Sequence, residues 1–546
     1  MKAIFVLPIR FLFTCLGFCL LYACAQVVSP TGGEMDVQAP VLISSEPVNG
    51  AINWKQNKLE LKFNEYINLK DVSTQFIVSP PLKSIPEPKI KNKTLSLTWE
   101  DTLKPNTTYT FSFGNSIVDY TEQNAVENYR HVFSTGDFID SLVVSGKLEK
   151  AYDHSVEKGI LVMLYDENKA QKDSFPYKSL PDYFAKTNAF GNYFIPNVKS
   201  GNYKIFALKE GNANYLFDSD DEQIAFADSM LRLNKSTELN LSMFQEPKAK
   251  LFLKKPIKNY VGQLLLSYSK PLQNLSIESL QPSQKIKWQA LEYSTWRDTV
   301  RYWYAGAEGD SLKLKLIADG VVIDTLLLKI PRKEDNKSKG DFVNGFAFKT
   351  NINGDGSFDL GKKIVLQFPS PVKNYVAGKI LLTNQQDTVP LVFAFDDSLQ
   401  RKAGISAQLK EDSTYVLLIP KGVFEDYEGV KNDTVKIKFK LLTASVYGTL
   451  KLGVKLPYEG AFVFQLLDDK ENVLREQSLL KSETIFYEHI KPGVYKLKLI
   501  ADNNTNKRWD SGKWLEKRQA ERTYYYKNDL TIRANWDLEE QWVVEK

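Results

Sequence analysis

Thr108-Tyr109-Thr110-Phe111-Ser112-Phe113 is the stretch that decides the fold, because polar and aromatic side chains alternate along it with a period of two. Successive side chains of a strand point to opposite faces, so the alternation predicts a strand with one face in a core and one in solvent. The same rhythm occurs at residues 59–63 and 94–99, between turns rich in Pro, Asn and Gly. These runs predict antiparallel strands stacked as a β-sandwich.

The segment around this strand is repeated later in the chain. Residues 103–109 are echoed by residues 409–415, and both copies run on into an acidic-aromatic turn, at residues 119–120 and 426–427. The stretch between residues 248 and 334 shares only the opening rhythm of these copies. We therefore expect three related sandwiches of this kind, the middle one being the most divergent.

A second kind of repeat links two other segments. Residues 200–205 match residues 492–497, and the register continues without a gap to Phe217/Trp509. One ancestral unit therefore occurs twice. We expect the glycine of each copy, at positions 201 and 493, to adopt a positive φ in a tight turn before the strand.

Length and composition limit the class of protein. A chain of 546 residues is too long for one hydrophobic core, and 43% apolar with 12% aromatic residues excludes a mainly disordered chain. The formal net charge is only +5, and Lys alternates with Asp and Glu instead of forming a basic stripe. Nucleic acid is therefore not an expected partner.

The beginning of the chain indicates export. Lys2 and Arg10 precede an apolar run, from Phe11 to Ala23, that is short for a membrane span, which is typical of a signal peptide over residues 1–23. Its end, Leu21-Tyr22-Ala23-Cys24, resembles a bacterial lipobox, in which the cysteine carries diacylglycerol and an N-acyl chain. The alternative is an ordinary signal peptide that happens to be cleaved near a cysteine.

Cysteine usage favours the lipoprotein. The other two cysteines lie inside the predicted signal peptide, and no cysteine follows Cys24, so disulfides do not explain its presence. The polar, turn-rich residues 24–38 predict a flexible lipidated tether. Covalent acyl chains such as palmitate at Cys24 would anchor the protein to the outer membrane. No acidic cluster follows Cys24, so the periplasmic face is the expected side, and the cell surface stays open.

The repeats resemble two known domain families. The tether, residues 39–42 and the motif at residues 103–109 resemble the Ig-like domain of Bacteroidota outer-membrane lipoproteins. The second repeat resembles the carboxypeptidase-regulatory or transthyretin-like domain, an accessory β-sandwich. The resemblance implies an all-β chain of tandem Ig-like and transthyretin-like β-sandwiches. The expected domains are Ig-like at 39–137, carboxypeptidase-regulatory-like at 138–247, Ig-like at 248–334, a linker at 335–340, Ig-like at 341–442 and carboxypeptidase-regulatory-like at 443–546.

Few residues suggest catalysis. Only His131, His154 and His489 could act as imidazole bases, and none has a His or Cys at metal-ligand spacing. No nucleophile elbow, zinc-protease motif or phosphate-binding glycine loop is present. We therefore expect no enzyme, although carboxylates that meet only in the folded chain could still form an active site.

Two candidate binding sites remain. Asp502, Asn504, Asn506 and Asp510 place oxygen ligands at alternating positions, as a Ca²⁺ loop does, but the calcium-loop glycine is missing. The alternative is a polar loop held by hydrogen bonds from its side chains to the backbone. Apart from calcium, no cofactor is expected.

The other candidate is an aromatic strand containing Trp303 and Tyr304, with Trp296 and Tyr302 nearby and a second aromatic run at residues 524–526. Adjacent residues point to opposite faces, so each strand could expose an aromatic ring to a sugar or a protein partner. Core packing is the competing interpretation.

These observations predict a membrane-anchored envelope lipoprotein that acts as a non-catalytic scaffold or interaction subunit of an outer-membrane assembly. Its expected partners are the membrane, through the lipid, and other envelope proteins. A glycan-binding surface protein is the first alternative, and an enzyme with unplaced carboxylates is the second.

Overall fold

A computed structural model describes residues 35–212, 214–248, 250–280, 286–307, 310–330, 346–385 and 387–545. Regular structure is almost entirely β, and the chain is a series of tandem β-sandwiches, which confirms the predicted fold class. The described strands form five groups, here called units 1 to 5, and no described sheet joins strands of two units. The predicted signal peptide, Cys24 and the linker at residues 335–340 lie outside the described residues.

Unit 1 packs two sheets around an aromatic core. Its sheets have the strand orders β1-β2-β6-β5 and β4-β7-β9, with β3 paired to β8. Its elements are β1 (Leu42–Glu46), β2 (Lys58–Phe63), β3 (Ile67–Leu69), α1 (Val72–Gln75), β4 (Ile77–Ser79), β5 (Lys89–Lys91), β6 (Thr94–Thr98), β7 (Thr108–Gly114), β8 (Ile117–Asp119) and β9 (Tyr129–Ser134).

Strand β7 corrects one expectation from the sequence. Tyr109, Phe111 and Phe113 enter the core as alternation predicts. Thr108 and Thr110, however, are buried instead of solvent-exposed, at 1% and 4% exposure. The reason is that unit 2 covers this face: the Thr108 hydroxyl donates to Asp140, 2.9 Å away.

Unit 2 forms one strongly curved sheet of order β12-β11-β14-β15-β18-β10-β13, with β16 paired to β14 and β17 to β10. Its elements are β10 (Leu142–Lys150), β11 (Leu161–Asp166), α2 (Phe175–Lys178), β12 (Tyr183–Lys186), β13 (Asn192–Val198), β14 (Gly201–Lys209), β15 (Gln223–Phe226), β16 (Leu231–Leu233), β17 (Thr237–Glu238) and β18 (Leu241–Gln245). One face of β11 and β14 lines the inner core, and the other lines a second, aromatic cluster.

Unit 3 has sheets of order β19-β20-β23-β22 and β21-β24-β25. Its strands are β19 (Lys258–Tyr260), β20 (Gln263–Ser267), β21 (Leu275–Ser279), β22 (Trp288–Tyr293), β23 (Thr299–Ala305), β24 (Ser311–Ala318) and β25 (Val321–Lys329). Leu264, Leu266 and Tyr302 of the first sheet pack on Leu314 and Leu316 of the second. The opposite face of the first sheet, with Lys258, Leu265 and Arg301, therefore points away from the core.

Unit 4 repeats the plan of unit 1, with sheets of order β26-β28-β33-β32 and β27-β36-β34-β30-β31 and a pair β29-β35. Its elements are β26 (Lys349–Thr350), β27 (Ser357–Phe358), β28 (Ile364–Gln367), β29 (Val372–Tyr375), a 3₁₀ turn (Ala377–Lys379), β30 (Leu381–Asn384), β31 (Asp387–Thr388), β32 (Leu391–Phe395), β33 (Lys402–Ala407), β34 (Thr414–Ile419), β35 (Phe424–Asp426) and β36 (Val435–Leu441).

The sequence motif shared by units 1 and 4 forms the same local structure in both. The backbone N–H of Lys104 donates to the hydroxyl of Tyr109 over 2.9 Å, and that of Lys410 donates to Tyr415 over 2.7 Å. Each tyrosine ring is buried, so its hydroxyl holds the turn that leads into its own strand.

Unit 5 has sheets of order β40-β37-β44 and β39-β38-β41-β42, with β43 paired to β41. Its elements are a 3₁₀ turn (Ala444–Val446), β37 (Gly448–Lys455), β38 (Phe462–Leu467), β39 (Val473–Leu479), β40 (Glu483–Ile490), β41 (Gly493–Ala501), β42 (Thr523–Tyr525), β43 (Leu530–Ile532) and β44 (Asp537–Val543).

The glycines of the second repeat have a different role from the one expected. Gly201 and Gly493 begin strands β14 and β41 without a positive φ. A Cβ atom at either position would lie 3.4–3.5 Å from the ring of the tyrosine two residues later. The hydroxyls of these tyrosines, Tyr203 and Tyr495, donate to backbone carbonyls four residues upstream. A Cβ atom would thus make an ordinary van der Waals contact with the ring, and the tyrosine hydroxyl is the group that closes the turn.

Candidate functional site

Trp303 and Tyr304 are buried, at 2% and 4% exposure, so the expectation that this strand exposes an aromatic ring is corrected. Alternation does place them on opposite faces of the sheet. Tyr304 lies in the core of unit 3. Trp303 lies on the outer face, which unit 4 covers. Sequence periodicity assigns a residue to a face but does not reveal a neighbouring unit that covers it.

Trp303 belongs to a clasp between units 3 and 4. Its indole N–H donates to the carboxylate of Glu292 over 2.8 Å. The same carboxylate accepts from Nη1 of Arg401, with Nη1 2.8 and 2.7 Å from its two oxygens. The Arg401 guanidinium lies 4.7 Å from the centre of the Trp303 ring and also donates to the carbonyl of Phe368. A charge-assisted pair and a cation–π contact thus join the two units at one point.

The repeated acidic-aromatic turns have different surroundings. In unit 4, Tyr427 stacks on Trp288 of unit 3 with ring centres 3.7 Å apart, and Glu428 accepts the backbone N–H of Gly306. In unit 1 the matching Tyr120 is 70% exposed. The turn of unit 4 is therefore a docking element, and that of unit 1 presents its ring to solvent.

Units 2 and 5, although distant in sequence, are in direct contact. Trp514, in the loop before β42, is 1% exposed and lies within the aromatic cluster of unit 2. Its ring meets Phe175, Phe206 and Phe226 edge-on, with centroid distances of 4.9–5.4 Å. Its indole N–H donates to the carbonyl of Asp173 over 2.8 Å. Buried aromatic anchors of this kind dominate the energetics of interfaces.

Unit 2 makes a reciprocal contact with unit 5. Tyr152 lies against Lys498 of β41, whose ammonium nitrogen is 3.1 Å from the centre of the tyrosine ring. Lys498 is 2% exposed, and burial lowers its pKa to about 8 against the opposing effects of Glu471 and Asp153. The hydroxyl of Thr523 donates to the backbone carbonyls of Ala151 and Tyr152, so the contact is also hydrogen-bonded.

The three histidines lie apart. His131 is fully buried in unit 1, between the Tyr129 hydroxyl and the Pro47 carbonyl, and burial lowers its pKa to about 4. His154 bridges units 2 and 5 through Thr523. His489 packs edge-on against Tyr447, near the junction of units 4 and 5. In these positions they make structural contacts.

The loop containing Asp502, Asn504, Asn506 and Asp510 is closed by its own side chains. The Asp502 carboxylate accepts the backbone N–H groups of Asn506 and Lys507. The side-chain amides of Asn504 and Asn506 donate to Asp510 over 2.5 and 2.7 Å. This arrangement has the bonds expected of a polar loop. Among the described residues, no group of three or more His, Cys, Asp or Glu side chains is placed to hold a metal ion.

The matching loop of unit 2 has the same bonds. The amides of Asn212 and Asn214 donate to Asp218, and Glu210 accepts the backbone N–H of Tyr215. After this point the copies diverge: unit 2 continues with Asp221 where unit 5 has Lys513, immediately before Trp514. The anchor of the interface is therefore a feature of only one copy, and its signal in the sequence was the second tryptophan of this polar loop.

The predicted lipid site cannot be placed, because Cys24 lies outside the described residues. The described chain begins at Met35, and the carbonyl of Asp36 accepts from Asn124 of unit 1. Within the described ranges, no helix is both long and apolar enough to span a membrane.

Comparisons with solved structures give only remote similarity. The chain aligns with the major pilin subunit of Bacillus cereus at 12% identity, over 74% of this chain and 100% of the pilin, with a TM-score of 0.14. An S-layer protein aligns at 12% identity over 90% of this chain and 67% of its own, with a TM-score of 0.14. The TIE protein of Bacillus anthracis aligns at 10% identity over 94% and 76%, with a TM-score of 0.15. TM-scores this low support no argument about function.

Family and curated comparisons are more limited. A search of curated proteins returned no match. Residues 36–135, which include every strand of unit 1, match the family model of the bacterial Ig-like domain. Unit 1 is thus identified as a bacterial Ig-like domain.

Proposed function

We propose that this protein is a lipid-anchored envelope lipoprotein that serves as a non-catalytic scaffold or interaction subunit of an outer-membrane assembly. The observation that carries the proposal is the insertion of Trp514 of unit 5 into unit 2, which lies several hundred residues earlier in the chain. Together with the clasp between units 3 and 4, this contact fixes the relative positions of β-sandwiches that flexible connections would leave free to move. A fixed order of sandwiches presents edge strands and end loops in a constant arrangement, which suits the docking of other proteins.

Complementation of a deletion strain tests the scaffold. Trp514→Ala should lower function because it frees unit 5 from unit 2 while leaving the surface residues in place. Alanine at His131, His154, His489, Asp502 or Asp510 should preserve function wherever the folded protein accumulates normally. If Trp514→Ala restores the phenotype while one of these five substitutions abolishes it with the fold intact, a discrete chemical site must be sought at that residue.

The lipid anchor has a separate test. Cys24→Ala, made with the export signal retained, should leave the protein without acyl chains and released from the outer membrane on fractionation. Labelling with a palmitate analogue provides the direct readout. A Cys24→Ala protein that still takes up the label contradicts the anchor, and protease access in intact cells separates the periplasmic from the surface orientation.

A glycan-binding surface protein is the second candidate, and one residue favours it. Trp296 is 54% exposed at the tip of the aromatic hairpin, although Arg508 of unit 5 lies 5.1 Å from its ring centre. Binding on a glycan array that Trp296→Ala abolishes would favour this function. Trp303→Ala is not a clean test, because it also breaks the clasp with Arg401.

A further inference from the structure

The junction of units 3 and 4 holds a cavity of about 300 Å³ beside the Trp303 clasp. On the side of unit 3, its wall is the outer face of the sheet β19-β20-β23. Lys258 pairs with Leu265, and Leu265 pairs with Arg301, so these three side chains form one row across neighbouring strands. Unit 4 supplies the opposite wall with Lys349, Phe368 and Arg401.

The cavity is cationic on both walls. Lys258, Arg301, Lys349 and Arg401 line it, and its lining contains no Asp or Glu. The adjacent Glu292 is already bonded to Arg401 and Trp303, and its distance to Arg301 is 3.5 Å. Neither Lys258 nor Lys349 has an acidic partner within ion-pair distance in the described part of the chain. One carboxylate therefore faces four cations, which leaves an excess of about three positive charges.

The rest of the lining indicates the size and character of a ligand. Tyr260, Leu265, Phe368 and Pro369 provide apolar surface, and Gln263, 6% exposed, provides an amide at the floor. A cavity of this volume is at the small end of ligand-binding sites, which combine apolar walls with a few polar groups. Lysine and arginine together bind carboxylate or phosphate oxygens through charge-assisted hydrogen bonds.

We propose that this cleft binds a compact organic anion, one carboxylate or phosphate group carried on a body of about the size of a sugar ring. The anion lies between Lys258 and Arg301 of unit 3 and Lys349 of unit 4. Because both units supply cations, the ligand stabilises their junction as well as occupying it. The site is independent of the scaffold role and of the lipid anchor.

Calorimetric titration of the purified protein tests the proposal, with glucuronate as the carboxylate probe, glucose 6-phosphate as the phosphate probe and glucose as the uncharged control, at constant ionic strength. At least one anion should bind and raise the melting temperature, and glucose should do neither. The probe that binds more tightly shows whether the cleft prefers a carboxylate or a phosphate group.

Variants locate the binding. The double variant Lys258→Gln/Lys349→Gln should weaken anion binding at least tenfold, roughly the loss expected for charge-assisted contacts. Arg301→Gln should weaken it as well. Lys313→Gln/Lys373→Gln, which removes one exposed lysine from each unit outside the cleft, is the matched control and should bind as the parent does. Arg401 is left unchanged because the clasp depends on it.

Two results would overturn the proposal. One is the absence of binding by either anion at millimolar concentration in a protein whose melting curve shows it to be folded. The other is an equal loss of affinity in the cleft variant and in the control variant, which would mean that the anions respond to overall charge.

Discussion

Units 2 and 5 carry the same repeated sequence, yet each uses the outer face of its sheet differently. At the aligned position of the strand that follows the repeated glycine, unit 2 has Phe206 and unit 5 has Lys498. Phe206 is covered by Trp514 of unit 5, whereas Lys498 is covered by Tyr152 of unit 2. One copy thus receives an apolar anchor and the other buries a charge under an aromatic ring. The repeats have diverged into two complementary halves of one interface.

Of the changes predicted for this interface, removal of the Trp514 ring should lower the unfolding free energy most. Trp514→Ala leaves a cavity in the aromatic cluster of unit 2 and an unpaired Asp173 carbonyl, at a cost of about 3–5 kcal/mol in unfolding free energy. Urea unfolding followed by tryptophan fluorescence provides the measurement. Trp536→Ala, at a ring 58% exposed in the same unit, is the control and should change stability by less than about 0.5 kcal/mol. Equal losses in the two variants would mean that the interface contributes nothing.

The buried charge should appear as a pH dependence. Burial lowers the pKa of Lys498 to about 8, against about 10.4 in an unfolded chain, so the unfolded chain binds more protons between these values. Stability contributed by this group is therefore complete above pH 10.4 and is lost as pH falls through 8. Between pH 8 and 9.5 the unfolding free energy should rise by about 1–2 kcal/mol on this account.

Lys498→Met should remove that rise, because no proton is then released on folding. Lys451→Met, at an exposed lysine of β37, should retain it. Urea midpoints at pH 7.5, 8.5 and 9.5 distinguish the two variants. Parallel profiles for both variants and the parent would show that Lys498 keeps an ordinary pKa and that Tyr152 does not bury it.

A polar contact at the edge of the interface should matter less. His154→Ala removes the bond from the imidazole to Thr523, 2.9 Å away, and the pairing of the same ring with Glu149. We expect a loss of about 1–2 kcal/mol. Amide hydrogen exchange should increase in β42 and stay unchanged in unit 4. An increase spread evenly over the chain would place the effect outside the interface.

Calcium should have the smallest effect. We expect it to raise the melting temperature by about 1 °C at most, through the loop of unit 5, because a ligand that binds only the folded state stabilises it by mass action. Asp502→Ala and Asp510→Ala should each abolish the rise, whereas Asp218→Ala in unit 2 should not. Superimposable melting curves in calcium and in chelator would leave only the polar-loop interpretation.

The fold class could be predicted because its signals are local. Alternation marked the strands of unit 1, and the motif ending at Tyr109 and Tyr415 marked a turn that both copies form in the same way. The expected positive φ at Gly201 and Gly493 was wrong, because the sequence spacing does not distinguish a turn that needs a positive φ from one closed by a tyrosine hydroxyl.

The site could not be predicted to the same degree, because it depends on contacts between units. Trp303 was singled out as a candidate for an exposed ring, but whether its face meets solvent, sugar or another unit depends on how units 3 and 4 pack. Trp514 was missed because it follows the point where the repeats diverge and belongs to no periodic pattern. Local periodicity carries no information about a partner that is hundreds of residues away.

The separation of Trp514 from its acceptor on Asp173, 341 residues along the chain, has a consequence for how the protein is made. Phe244, the last aromatic residue of the unit 2 cluster, precedes Trp514 by about 270 residues. At roughly 5–20 residues per second, the cluster is synthesised about 14–54 seconds before its cover. Until Trp514 docks, Phe206 and Phe226 lack that cover and leave apolar surface exposed. Unit 2 therefore keeps an apolar surface uncovered until unit 5 docks, and a holding chaperone would protect that surface from aggregation.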